Sequence, residues 1–304
     1  MKIPSYINPG DKIRIVSPAG KVSEQNVLPA VDWLQKQGYQ VELGKNVFAS
    51  HFQFAGTDKQ RLDDLQTAFD DTETAAIICS RGGYGTVRII RQIDFTKFVA
   101  NPKWLVGYSD ITILHSCLNS RRVATIHGVM PKYFFDDDGS TSENLESLMQ
   151  LLTGGKASYS FKNGENNRPG KVTGELVGGN LSIISSMQGT PCELKTDGKI
   201  LFLEDIDEFL YHTDRMIYQL KLSGKLENLA GLVLGDFTEM KDNESPFGKT
   251  IHEIIMDAVQ EFEYPVCFGF PAGHDKKNLA LAFGMNWELE VLEKKATLEL
   301  KIRN

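Results

Sequence analysis

Hydrophobic and polar positions alternate in two rhythms along the first half of this chain. Short apolar runs closed by small polar residues read as buried strands: KIRIVSP, YQVEL, TAAIICS, KWLVGYS and ATIHG. Between them, NVLPAVDWLQKQG and TDKQRLDDLQTAF repeat their apolar positions at helical spacing. Gly38 is placed to close the first helix, and Thr57 with Gln60 has the spacing of a capping box at the start of the second. VRIIRQI starts a further helix, and SENLESLMQLLTG closes this half. Strand–helix alternation predicts βαβ units in a parallel, doubly wound α/β sheet. Such sheets bind ligands beyond the carboxyl ends of their strands. Those ends here carry SPAG, SRGGYG, GYSD and IHG, all small and polar.

The pattern then changes. GKASYSFKNGENNRPGK has little periodicity and many Gly, Asn, Lys and Ser residues, which marks a boundary. After it, KVTGELVG, KILFLEDI, LAGLVLGDF, YPVCFGF and WELEVLEKKATLELKI read as strands, mixed with two helix-like stretches. The last of these strands alternates apolar and charged residues, as a half-exposed antiparallel pair does. At 304 residues the chain has the length of two domains. The expected division is an α/β domain over 1–154, a linker over 155–172 and a β-rich domain over 173–304.

Composition narrows the partners. The net charge of −7 leaves no basic footprint, so neither nucleic acid nor an anionic membrane surface is an expected partner. The amino terminus has no long apolar core of a signal peptide, and no apolar stretch reaches the ~18 residues of a membrane span. A cytoplasmic protein is the expectation. Cys79, Cys117, Cys192 and Cys267 are far apart, with no C-x-x-C pair, and a reducing compartment fits them. No His/Cys/Asp/Glu spacing suggests zinc, and the consecutive acids of DDDGSTSE do not match calcium-ligand spacing, so no metal and no cofactor are expected.

Candidate chemistry collects at the strand ends. SRGGYG, residues 80–85, fails both the Walker and the dinucleotide patterns. Its paired glycines suit either a tight turn or a close backbone approach to an oxyanion. Ser109 stands at the corner between an apolar run and a helix, where it is either an N-cap or an exposed nucleophile. Among six histidines, His51, His212 and His252 read as surface residues. His115 lies too close after Ser109 in sequence to fold back easily, and His127 ends a strand as a wall residue. His274, in GFPAGHDKKN, sits where an apolar strand gives way to a polar loop. Glu204 ends the apolar run Ile200–Leu203 and needs a partner, whether a cation, a helix terminus or a histidine. Ser109, Glu204 and His274 together supply nucleophile, orienting acid and base.

CSRGGYGTVRII, LVGYSDITIL, TIHGVM, GELVGGNLSII, LFLEDIDE and PAGHDKKNLALAFG occur in the order seen in the serine L,D-carboxypeptidase family, which the chain resembles over nearly its whole length. That family includes muramoyltetrapeptide carboxypeptidases and the hydrolases giving self-immunity to microcin C. The resemblance implies a flavodoxin-like amino-terminal domain and a smaller β-rich carboxy-terminal one. It implies Ser109 as nucleophile, Glu204 as acid and His274 as base, with an oxyanion hole from the backbone N–H groups of Asp110 and Gly83. Arg81, Tyr84, His127 and Asn180 are candidate substrate contacts. Two departures from the family pattern, neither touching the triad, are able to reshape the substrate cleft: Val129 and Ala282 stand where the family often has proline.

What the resemblance implies is release of the terminal D-alanine from cytoplasmic murein tetrapeptides in wall recycling, by a homodimer that takes a small peptide substrate. Two other readings stand beside it. One is a microcin-immunity-like hydrolase of peptidyl or aminoacyl nucleotides, which would want an extra aromatic to stack the base. Trp33, Trp104 and Trp287 look like core residues instead. The other is a cleft-binding protein without chemistry, which would have no need of the three groups.

Overall fold

The computed structural model describes residues 1–162 and 167–301. The chain forms two compact units: Met1–Gly155 with Leu279–Ala282, and Lys156–Asn278 with Phe283–Asn304. No helix among the described residues is long and apolar enough to cross a membrane.

The first unit is built on strands β1 (Lys12–Val16), β2 (Gln40–Leu43), β3 (Thr74–Cys79), β4 (Trp104–Gly107) and β5 (Thr125–His127). They pair in parallel in the order β2-β1-β3-β4-β5. Helices α1 (Glu24–Lys36), α2 (Asp58–Asp70), α3 (Thr86–Ile89), α4 (Thr96–Ala100), α5 (Thr112–Ser120) and α6 (Glu143–Leu152) complete it. Local chemistry explains the boundaries. Gly38 takes φ +93° just past α1, and both reciprocal bonds of the Thr57–Gln60 capping box form at α2. Every residue of β4 is buried, as in a sheet covered on both faces. The strand order reverses between β1 and β3, and at that switch point Ser17 and Ser80 share a 2.6 Å hydrogen bond between hydroxyls.

The second unit carries β6 (Ser158–Lys162), β7 (Gly170–Asn180), β8 (Ile200–Ile206), β9 (Gly231–Thr238) and β10 (Val266–Phe268). A late strand, β11 (Leu281–Phe283), belongs to the first sheet, beside β5. Two further strands, β12 (Asn286–Val291) and β13 (Lys295–Leu300), return to the second. That sheet runs β10-β9-β8-β7-β12-β13-β6, parallel from β10 to β7 and antiparallel from β7 to β6. Helices α7 (Leu181–Ser186), α8 (Leu210–Leu222) and α9 (Ile251–Ala258) add Ile184, Ile217, Leu220, Ile254 and Ile255 to a core with Leu201, Leu203, Leu232 and Leu234.

The α/β class and the antiparallel pair at the carboxyl end agree with the sequence reading. The stretch 155–172 departs from a linker: Ser158–Lys162 pairs with β13, and Arg168 bridges to Val266. Alternate side chains of SYSFK, Tyr159 buried and Ser158 and Ser160 exposed, give it the two-residue period of an edge strand. Residues 163–166 of that stretch lie outside the described residues.

Candidate active site

The corner that follows β4 is strained. Tyr108 is extended, but Ser109 takes φ +63°, in the left-handed region, and opens a 3₁₀ turn (Ser109–Ile111) that runs into α5. A non-glycine residue there costs about 1–2 kcal/mol. Neither the 3₁₀ turn nor α5 has a side-chain cap, so Ser109 does not serve as an N-cap. The space around it admits only small neighbours. A methyl group at Gly82 would stand 2.9 Å from Ser109 Cβ and 3.1 Å from its Oγ, and one at Gly107 would stand 2.9 Å from Ile111.

His115 folds onto the end of β4. Its ring is fully buried, and Nε2 lies 2.9 Å from the carbonyl oxygen of Gly107, which also accepts from Gly128 N–H at 3.2 Å. Burial pulls its pKa down to about 4 against the opposing pull of that carbonyl, so the ring is neutral and Nε2–H donates. α5 runs back alongside the strand it leaves, which brings this ring to the strand's end.

The glycine loop lies against the corner. Gly82 accepts a 2.9 Å bond from Gly20 N–H, while Gly83 takes φ +93° and packs on Gly20. Gly82, not Gly83, is the residue whose Cα faces the Ser109 side chain. Asp110 is buried, and its Oδ2 accepts a 2.9 Å bond from Thr86 N–H just past the loop. Arg81 donates to the Lys21 carbonyl at 2.9 Å, and Tyr84 stands half out in solvent with its ring 6.0 Å from Phe54. His127 is fully buried, paired in register with Gly107, with its ring 5.9 Å from Tyr108.

In the second unit, Glu204 and His274 meet. Glu204 is fully buried at the end of β8, and His274 follows Gly273 in the loop after β10. Nδ1–H of His274 donates to Glu204 Oε2 at 2.7 Å. The turn needs its glycine: Gly273 takes φ +146°, and a methyl group there would press on Asp236 Cβ at 3.1 Å. Burial pulls the His274 pKa down, but the hydrogen bond and charge of Glu204, with Asp205 and Asp236 behind it, raise it above the ordinary value. Asp205 and Asp236 are both pushed up to about 7, chiefly by burial, with Glu204 adding like-charge repulsion to both and Asp275 adding more at Asp236.

Asn180 has a structural part to play. Its Oδ1 caps α7 by accepting from Ile183 N–H, and its Nδ2 donates to Asp205 at 2.9 Å. Asp205 also accepts from the backbone N–H groups of Ser182 and Ile206. Asn180 thereby fixes the residue next to Glu204. Asp236 was missed by the sequence reading, although GLVLGDF carries the signal that found Glu204, an acid at the end of an apolar run.

Comparison with known proteins decides the family. The profile of the LD-carboxypeptidase N-terminal domain matches residues 13–128, and that of the LD-carboxypeptidase C-terminal domain matches residues 173–289. The chain belongs to the LD-carboxypeptidase family. A probable murein peptide carboxypeptidase of Bacillus subtilis is 36% identical, over 97% of this chain and 94% of that protein. The crystal structure of a muramoyltetrapeptide carboxypeptidase from Oxalobacter formigenes superposes with a TM-score of 0.86 at 30% identity, covering 96% of this chain and 99% of that one. The microcin C7 self-immunity protein MccF has a TM-score of 0.86 at 21% identity, over 100% of this chain and 99% of that one, which shows a shared fold. For this LD-carboxypeptidase family member, then, the sequence resemblance and the fold agree, and the activity class is a peptide-cleaving hydrolase.

Proposed function

We propose that this chain is a serine L,D-carboxypeptidase that releases the terminal D-alanine from murein tetrapeptides, in the recycling of wall fragments in the cytoplasm. The observation that carries the reading is Ser109. It is held at φ +63° on a strand-to-helix corner, half-buried, with no capping role to explain it. Strained residues of this kind persist where function requires them, and such a corner presents a serine hydroxyl beyond the sheet edge.

In the proposed reaction, His274 Nε2 takes the proton of Ser109 as Oγ attacks the carbonyl of the L-configured end of an L,D peptide bond. Glu204, bonded to Nδ1–H, fixes the tautomer and stabilises the imidazolium. The oxyanion is held by the N–H groups of Asp110 and Gly83. What supports Gly83 is the peptide plane it shares with Gly82: the Gly82 carbonyl is taken by Gly20 N–H, so the trans Gly83 N–H points the opposite way. Each donor of this kind is worth about 2.7–4 kcal/mol of barrier. The imidazolium then protonates the departing amine of D-alanine, and a water, deprotonated by the same ring, frees the acid from the serine ester.

The deciding experiment measures D-alanine release from a murein tetrapeptide by the wild type and by Ser109→Ala in parallel. Release by the wild type alone is the expected result. No release by a wild type whose Ser109 still reacts with a fluorophosphonate would overturn the substrate and direct attention to peptidyl nucleotides.

A further inference from the structure

Asp110 follows the proposed nucleophile directly, and its side chain is spent in a way that backbone donation does not explain. A carboxylate that is 1% exposed needs a reason to be there, because burial disfavours its charge. Its pKa is raised by that burial, with the Thr86 bond and the Arg61 charge pulling the other way. What it does is accept the Thr86 N–H at 2.9 Å, 24 residues back in sequence and one residue beyond the glycine loop. That amide opens α3, and the residue before it, Gly85, offers no side chain to cap it.

A second group closes on the loop at Gly85. Arg61 of α2 is 1% exposed, with its guanidinium 4.9 Å from the Phe54 ring centre and Nη2 on Asp58. A methyl group at Gly85 would stand 2.5 Å from Arg61 Nη1, so the guanidinium fills the space against that glycine. Among the described residues neither Arg61 Nη1 nor Asp110 Oδ1 has a hydrogen-bond partner; the guanidinium stands against Gly85 and the carboxylate holds the next amide, Thr86 N–H. The far end of the loop is fixed too, through Gly20 N–H on the Gly82 carbonyl.

We infer that the Asp110 carboxylate, backed by the Arg61 guanidinium, is a positioning group that joins the glycine loop to the serine corner, so that the attacking Oγ and the loop's oxyanion donor keep one fixed spacing. The inference rests on the nucleophile proposed above. It follows from how a transition state is held: donors act only where the oxyanion will be, and a displacement of about 1 Å can cost on the order of 10² in rate. A side chain bonded across the two elements removes that freedom. It makes its contribution in the transition state and leaves the affinity for the peptide alone.

The test compares Asp110→Ala with Asp110→Asn, whose side-chain oxygen can still accept from Thr86 N–H. The rate of Ser109 phosphonylation by a fluorophosphonate is read beside kcat and KM for D-alanine release, with thermal melting as a check on folding. Asp110→Ala should lose on the order of ten- to a hundredfold in phosphonylation rate and in kcat, with KM within about twofold of the wild type. Asp110→Asn should recover most of that loss. Arg61→Met takes the guanidinium from beside Gly85 and leaves the Thr86 bond in place. It should slow phosphonylation in the same sense, and it keeps the question open to measurement if Asp110→Ala does not fold. Equal impairment of the Ala and Asn variants, or a loss that appears in KM rather than kcat, would overturn the positioning role. A folded wild type that never labels at Ser109 would overturn the nucleophile itself, a separate failure read from the same assay.

Discussion

Glu204 Oε2 and His274 Nδ1 stand 2.7 Å apart, with the carboxylate fully buried and the imidazole largely so. The pair raises the folded-state pKa of His274 above its ordinary value of 6.5. As the proposed base, His274 must be neutral to accept a proton, so kcat/KM for the proposed D-alanine release should rise with pH through a midpoint above 6.5. Glu204→Gln should bring that midpoint down and lower the plateau by on the order of 10²–10⁴. The stability sign runs the other way. The protonated pair stabilises the fold fully below 6.5, and that contribution is lost as pH rises through the raised pKa. A pH–rate profile of both proteins checks the first statement, and a midpoint unmoved by Glu204→Gln would refute it.

Ser109 offers a contrast between two substitutions that both remove the hydroxyl. Ser109→Ala keeps the left-handed strain at φ +63°, whereas Ser109→Gly relieves it. Both should be inactive, but the glycine variant should be more stable than the alanine variant by about 1 kcal/mol. Chemical denaturation of the two resolves this, and equal midpoints would mean the corner stores no strain.

Asp236 should limit stability at neutral and higher pH. Its folded-state pKa of about 7 lies above the 3.8 of an ordinary aspartate, so the folded protein holds a proton that the unfolded chain releases. Stability contributed by that proton is present at low pH and falls as pH rises between 3.8 and about 7. Asp236→Asn should therefore raise the melting temperature at pH 8 by about 2–4 °C, the shift that about 1 kcal/mol gives in a domain of this size, and change it little at pH 4. A gain of the same size at both pH values would point to packing instead of charge.

Much of the first unit was legible because its signals are local. The capping box at Thr57, the glycine closing α1 and the all-apolar β4 each depend on residues within a few positions of one another. The same holds for the serine corner, where an apolar run, two small residues and a helix sit side by side in sequence. Glu204 and His274 were found one at a time from their local settings; that they pair is a fact of 70 residues' separation that no spacing reveals. Asn180 shows the limit from the other direction. Its place at a strand end suggested substrate, yet it caps α7 and holds Asp205, since a strand-end amide suits either task. Edge strand β6 was hidden because a short outer strand is half polar by nature, and its composition reads as loop.

The placement of β11 has a consequence for the order in which the molecule can be completed. Residues 281–283 flank β5, which is finished at His127, so more than half of the polypeptide separates two neighbours in one sheet. On a ribosome adding about 5–20 residues per second, the open side of β5 waits roughly 8–30 seconds for its neighbour. During that interval a nascent chain exposes a row of unpaired amides and carbonyls, the feature by which strands recruit strangers. A shortened gene ending near Gly155 would make that interval permanent, and its product should clump.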